Sequence, residues 1–178
     1  MPLANEIIAH LGLEPLRVEG GFFKQTYVSQ EKYGALTHPE QQKYAKPLCT
    51  AIFYLLTKEP DSLSAIHRLP TDEIYHHYIG DPVGLLELHP NGSSTQVILG
   101  ADILNGQKVQ HVVPANVWQG SQLLPGGEFA LMGTTMAPGF TTDDYIGGSR
   151  EVLVGKYPDQ RDSIRKLTRE NNSRLSMD

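Results

Sequence analysis

The stretch that decides the fold is Ala65-Ile66-His67-Arg68-Leu69-Pro70-Thr71-Asp72-Glu73-Ile74-Tyr75-His76-His77-Tyr78-Ile79-Gly80. It holds two segments with strand-like composition, and the turn-forming sequence Pro70-Thr71-Asp72 separates them. A tight turn of this kind favours an antiparallel connection, because parallel strands need a long crossover. We therefore predict two neighbouring antiparallel strands, with His67 on the first and Glu73 on the second.

Strand alternation sorts the side chains of this stretch into two faces. His67 and Leu69 share one face of the first strand, and Glu73, Tyr75 and His77 share one face of the second. Leu69 and Tyr75 favour burial, so this common face is predicted to be the interior of a barrel. A buried carboxylate is costly without a hydrogen-bonding partner, and the imidazole of His67 is the nearest candidate by sequence.

The rest of the chain continues the strand pattern. Turn signals such as Asn91-Gly92 and Asn105-Gly106 separate short segments rich in β-formers. The predicted strands are Phe23–Ser29, Leu48–Thr57, Leu63–His67, Glu73–Ile79, Val83–His89, Thr95–Leu99, Lys108–Val113, Asn116–Gln119, Glu128–Ala137 and Arg150–Val154. With so little helix between them, these strands must form antiparallel sheets, and at this size a jelly-roll β-barrel is the common result.

Short helices are predicted at both ends of the chain. The first has apolar residues at helical spacing and a C-terminal cap at Gly12, and its apolar positions are Ala4, Ile7, Ile8 and Leu11. The last follows Pro158, with Ile164 and Leu167 on its apolar side. Tyr33–Lys46 is polar and is predicted to be a loop. We expect one domain over residues 1–178, with a core from about residue 12 to residue 157.

Composition narrows the classes of function. The 178 residues include one cysteine, Cys49, which excludes a disulfide framework within the chain and a cysteine-based zinc cage. The formal net charge of -5 argues against nucleic acid as a partner. The N-terminus has neither a basic nor an apolar region typical of a secretory signal, and no stretch is apolar enough to span a bilayer. A cytoplasmic location is the simplest expectation.

Two motifs resemble those of the cupins. The first cupin motif is His-x-His, three or four residues, Glu, six residues, Gly, and its spacing matches His67, Leu69, Glu73 and Gly80. The second is Pro-x-Gly, two residues, His, and it aligns with Pro114–Gln119. Further segments resemble the cupin family called domain of unknown function 985, and they are Gly12–Pro15, Glu19–Phe23, His67–Leu69, Asp72–Tyr75, Val113–Gln119 and Ala137–Phe140.

This resemblance runs from about Ile7 to Tyr157. It implies an RmlC-like jelly roll, a pocket in the barrel mouth and a homodimer, and it implies no established reaction. The segment Phe22–Ser29 follows two glycines and is a candidate edge strand for pairing across a two-fold axis.

The sequence departs from the cupin metal site at two positions. A metal-binding cupin uses three histidines and one glutamate, but Leu69 and Gln119 stand where two of the histidines would be. Only His67 and Glu73 remain as good ligands, which is a poor set for a transition metal. We predict no bound metal and no cofactor.

The candidate catalytic residues are His67, Glu73 and Tyr75, and the candidate ligand-binding residues are His77, Gln119 and Tyr145. RmlC-like epimerases use a histidine base and a tyrosine acid, so His67 with Glu73 could supply the base and either Tyr75 or Tyr145 the acid. The leading hypothesis is a metal-independent binder, or an isomerase or epimerase, of an unidentified small molecule, with a sugar or a sugar-nucleotide-like molecule as one candidate. A metal-dependent cupin enzyme of the dioxygenase type, and a non-catalytic binding or storage protein, are the alternatives.

Overall fold

A computed structural model describes residues 2–33 and 45–169 of the chain. Most of the predicted loop Tyr33–Lys46 lies outside the described residues. Within these residues the α-helices are α1 (Pro2–Leu11), α2 (Arg150–Lys156) and α3 (Arg161–Lys166). The strands are β1 (Glu14–Pro15), β2 (Phe22–Val28), β3 (Lys32–Tyr33), β4 (Lys46–Pro47), β5 (Thr50–Thr57), β6 (Ser64–Arg68), β7 (Glu73–Gly80), β8 (Val83–Leu88), β9 (Ser94–Leu99), β10 (Gln110–Val113), β11 (Trp118–Leu123), β12 (Phe129–Met136) and β13 (Ile146–Gly147).

The strands form two large sheets. One has six strands in the order β1-β2-β5-β12-β7-β10, and the other has five in the order β13-β6-β11-β8-β9. All pairings between these strands are antiparallel. A separate two-stranded sheet joins β3 to β4. The prediction of an antiparallel all-β fold with short terminal helices is therefore confirmed, although the two sheets are not joined into one closed ladder over the described residues.

The main core lies between the two large sheets. Tyr54 and Met132 of the six-stranded sheet pack in one buried cluster with Leu85 and Leu99 of the five-stranded sheet. All four side chains are at most 2% exposed. Alternating inward residues of each sheet thus form the interface, as expected for two packed sheets.

The terminal helices cover outer faces of the sheets. Helix α1 packs its Ile7, Ile8 and Leu11 against a buried group that includes Leu55 and Leu131. Gly12 has a φ of 64° directly after this helix, as the predicted cap requires. No helix in the described part of the chain is both long enough and apolar enough to cross a bilayer.

The predicted strand Arg150–Val154 is wrong, because this segment begins helix α2. Ser149 precedes it with extended backbone and Glu151 lies in the first turn, where a negative charge suits the helix dipole. Leu153 is 1% exposed and packs with Tyr157 and Ile164 on the five-stranded sheet. The segment is too short for its apolar residues to distinguish a strand from a helix.

The predicted hairpin between β6 and β7 is also wrong, because the two strands belong to different sheets. β11 and β13 occupy both sides of β6, so β7 cannot pair with it. The turn instead bonds to the loop before β11. The amide of Asn116 donates to the carbonyl of Leu69 at 2.8 Å, and the amide of Ala115 donates to Asp72 Oδ1 at 2.8 Å.

Candidate functional site

A cavity of about 320 Å³ lies between the inner face of the six-stranded sheet and strand β6. Its wall is mostly apolar, and the apolar residues include Leu16, Phe23, Ile52, Leu69, Met136 and Phe140. Its ionisable residues are few, and they are Glu19, His67, Glu73 and Tyr145. A pocket with these proportions is typical of small-molecule sites, where a few polar groups orient a largely apolar ligand.

His67 is 2% exposed and lies on β6, where both flanking strands hold its backbone. Its Nδ1 is 2.9 Å from the carbonyl oxygen of Ala65. A carbonyl oxygen only accepts, so Nδ1 carries the hydrogen, and the neutral ring has its lone pair on Nε2. A backbone hydrogen bond thus fixes the tautomer, and Nε2 is the atom available as a base.

Glu73 begins strand β7 on the opposite sheet and is 7% exposed. Burial raises the pKa of its carboxyl group, and the nearby Glu19 carboxylate raises it further. His67 lowers this pKa, and so do hydrogen bonds from Thr134 and Gln119, but burial has the largest effect. His67 and Glu73 therefore lie at the same cavity and interact electrostatically, although they reach it from opposite sheets.

Gln119 donates a hydrogen bond to Glu73. Its Nε2 lies 2.7 Å from Glu73 Oε2, and the residue pairs with His67 along the β6–β11 ladder. Gln119 is 1% exposed and does not line the cavity. The amide thus connects the two sheets behind the carboxylate.

Tyr145 lines the cavity and stacks on His67, with ring centroids 5.1 Å apart and planes at 19°. It is 7% exposed, and its hydroxyl is buried with no hydrogen-bond partner among the described residues. Burial raises its pKa well above the usual value, as does the charge of Glu19, so the phenol stays protonated. The preceding turn is built on buried Asp144, which accepts hydrogen bonds from Thr141 and pairs with Lys46.

Glu19 is the cavity residue that sequence reasoning missed. Ser64 donates to its Oε1 at 2.5 Å, and its backbone carbonyl accepts from the amide of Ala65 at 2.9 Å. The available signal was the Glu19-Gly20-Gly21 sequence, which also fits ordinary turn chemistry. The contact with β6 is long-range and could not be inferred from spacing.

Tyr75 and His77 share the inner face of β7 with Glu73 but do not line the cavity. Tyr75 is 1% exposed and belongs to the apolar core between the sheets. Because a strand advances about 3.3 Å per residue, Tyr75 lies about 7 Å and His77 about 13 Å further along β7 than Glu73. The inner face of β7 therefore lines the cavity at Glu73 and packs in the core further along the strand. Of the two candidate tyrosines, Tyr145 lines the cavity and Tyr75 does not.

The donor set does not fit a cupin metal centre. Leu69 lies in the cavity wall where a second imidazole would be needed, and the amide nitrogen of Gln119 is already bonded to Glu73. Within residues 2–33 and 45–169, no three His, Cys, Asp or Glu side chains are grouped so that they could hold a metal ion.

Comparisons with known proteins agree with this fold. The chain is 32% identical to a protein of Shewanella oneidensis, with a TM-score of 0.80 over 93% of this chain and 97% of that structure. A hypothetical protein from Leishmania major is 25% identical, with a TM-score of 0.80 over 93% and 98% of the two chains. An uncharacterised protein of Saccharomyces cerevisiae is 31% identical over 151 residues, which cover 77% of this chain and 73% of that protein.

A family model described as cupin superfamily, DUF985, matches residues 5–146, which include every cavity residue discussed above. The resemblance seen in the two motifs is confirmed by this match and by the structural neighbours. Despite the leucine and the glutamine at its ligand positions, the chain belongs to the DUF985 family of the cupin superfamily.

Proposed function

We propose that this cupin binds a small molecule in the cavity between its two sheets, without a metal ion or a cofactor. The observation that carries the proposal is the group of polar side chains in a largely apolar cavity, above all the Tyr145 hydroxyl, which is buried and unpartnered within the described residues. A buried hydroxyl without a hydrogen bond costs about 1–3 kcal/mol. A ligand that bonds to it would recover that cost.

The cavity also has the groups needed for proton transfer. His67 Nε2 is an unprotonated nitrogen in the neutral ring, and Tyr145 is a phenol held in its protonated form. A base and an acid in ring contact suit an isomerisation or epimerisation, in which one removes a proton and the other returns it. We propose His67 as the base, Tyr145 as the acid, and Glu73 as the carboxyl group that interacts with the His67 ring.

Backbone amide NMR with a fragment library tests the binding proposal. We expect small fragments that contain a single ring, both neutral and charged, to shift the resonances of cavity residues such as Gln25, Ala51 and Thr134. Tyr145→Phe removes only the hydroxyl. The variant should keep the fold but bind more weakly those fragments that form a hydrogen bond with this hydroxyl. A library in which no fragment shifts the cavity resonances would overturn the proposal.

Elemental analysis tests the metal-free part. The purified protein should hold no stoichiometric manganese, iron, nickel or zinc, because Leu69 and Gln119 replace two imidazoles. The control is the double variant Leu69→His, Gln119→His, which completes the usual set of four ligands and should gain metal affinity. About one transition metal per wild-type chain, lost in His67→Ala, would contradict the proposal.

A further inference from the structure

We propose that the ligand is an organic cation, namely a protonated amine carried on a small apolar body. This inference rests on the proposed function and names the chemical class of molecule that the same cavity selects. It excludes the phosphate of a sugar nucleotide and the carboxylate of an organic acid as the group held at Glu73.

The charge of the cavity is the first argument. Glu19 and Glu73 both line it, whereas His67 is the one imidazole and neither Lys nor Arg occurs among the described lining residues. The described lining thus carries two carboxyl groups against one imidazole. Lys46 pairs with Asp144, and Arg169, whose charge reaches Tyr145, is not a lining residue and donates to the carbonyl of Arg17.

The cost of burying Glu73 is the second argument. Its carboxyl group is held by neutral donors, Gln119 and Thr134, and burial is the dominant influence on its pKa. A buried carboxylate loses several kcal/mol of hydration, which a cation at hydrogen-bond distance offsets far better than neutral donors do. An anionic ligand would instead add repulsion from Glu19 and Glu73 at low dielectric.

The third argument is independent of the carboxylates. The Tyr145 hydroxyl, on a side chain only 7% exposed, has no partner among the described residues and can accept a hydrogen bond from an ammonium group. The rings of Phe23 and Phe140 also line the cavity, and aromatic rings attract cations while they pack against apolar carbon. These groups favour a molecule with one charged end and an apolar body.

Three probes of nearly equal shape isolate the charge: benzylamine, benzyl alcohol and benzoate, titrated by calorimetry or NMR at pH 7. We expect benzylamine to bind wild-type protein at least about tenfold more tightly than benzyl alcohol, and benzoate to bind most weakly. Glu73→Gln should reduce the preference for benzylamine over benzyl alcohol about tenfold. Glu128→Gln is the matched control and should leave the affinities for the three probes unaltered, because Glu128 is an exposed partner of Lys58.

Glu19→Gln is the second variant and keeps the test decisive if Glu73→Gln fails to fold. It should also reduce the preference for benzylamine. Equal binding of benzylamine and benzyl alcohol, or tighter binding of benzoate, would overturn the cation inference while small-molecule binding stands. Failure of all three probes, together with failure of the fragment library, would overturn both proposals.

Discussion

Glu73 keeps a carboxyl group where charge is costly, and its protonation should therefore affect folding. The pKa of Glu73 is raised in the folded protein, chiefly by burial, so the folded chain holds this proton more tightly than the unfolded chain does. The resulting stabilisation is complete below the unfolded pKa and is lost as pH rises through the folded value. This pH dependence of stability is opposite in sign to that of a carboxylate in a salt bridge, which stabilises the fold more as the pH rises.

Glu73→Gln should remove this pH dependence. We expect the free energy of unfolding of the variant to increase relative to that of wild type as the pH rises from about 4.5 to 8. Gln119 can accommodate the new amide, because its own Oε1 has no partner in the described structure and can accept a hydrogen bond after an amide flip. Urea unfolding of both proteins across this range measures the difference.

Glu128→Gln gives the control of opposite sign. Its hydrogen bond with Lys58 lowers the pKa of Glu128 from the usual value of 4.5. Wild type should therefore lose its stability advantage over this variant only below that pH, as the pH decreases through the folded pKa, so this pair of proteins is measured there as well. The stability of wild type relative to Glu73→Gln should decrease as the pH rises. If it stays constant or increases, the assignment of Glu73 as a buried carboxyl group that disfavours its charged form is contradicted.

Sequence predicted part of this residue-level arrangement. The spacing from His67 to Glu73 and to Gln119 indicated a shared interior site, and the structure gathers these three residues at or directly behind the cavity. Glu19 could not be found in this way. Its position depends on a hydrogen bond to Ser64, 45 residues later, which no local pattern encodes.

At the level of the elements, the loop before β2 closely approaches the segment before β6. Gly20 has a φ of 114°, and a Cβ at this position would lie 2.0 Å from the carbonyl oxygen of Leu63. The Gly20 carbonyl also accepts a hydrogen bond from the Tyr54 hydroxyl at 3.0 Å. The glycine therefore allows the close approach between this loop and the segment before β6 that brings Glu19 to the cavity.

Gly20→Ala should destabilise the protein by at least about 2 kcal/mol, because positive φ and direct overlap with backbone act together. Gly92→Ala is the matched control. Gly92 also has a positive φ, 91°, but nothing lies within 4 Å of a Cβ built there, so its cost should be about 1 kcal/mol. Thermal unfolding compares the two, and equal losses would show that the close approach at Gly20 has no energetic weight.

The sequence pattern predicted which segments are strands better than it predicted which strands pair with each other. Nine of the predicted strands overlap strands of the structure, because alternation and turn residues are local signals. The prediction that β6 and β7 pair was wrong, because a turn sequence does not determine whether the next strand joins the same sheet or another one. That choice depends on β11 and β13, which occupy the sides of β6 and come later in the chain.

For the molecule as a whole, we expect a homodimer that forms through β2. In the six-stranded sheet, β1 pairs only with Phe22 and Phe23, so the following part of β2 presents a free outer edge within the described structure. Tyr27 and Val28 on this segment are 54% and 40% exposed. Unpaired edges of this kind readily pair with a second copy across a two-fold axis.

Light scattering at micromolar concentration should therefore give twice the mass of one chain. Tyr27→Asp places a charge on the edge and should shift the population to monomer. Val152→Asp is the control, because Val152 is 66% exposed on α2, away from β2, and its change should leave the mass unaltered. A wild-type protein that is only monomeric would contradict the expectation.

The connection from β6 to β7 has a consequence for how binding and folding are linked. His67 and Glu73 are separated by five residues, yet they reach the cavity from opposite sheets. A folding intermediate in which each sheet has formed but the two have not docked therefore contains both residues and no binding site. Any ligand binds only the docked state, so by mass action it stabilises that state and slows separation of the sheets in proportion to its occupancy.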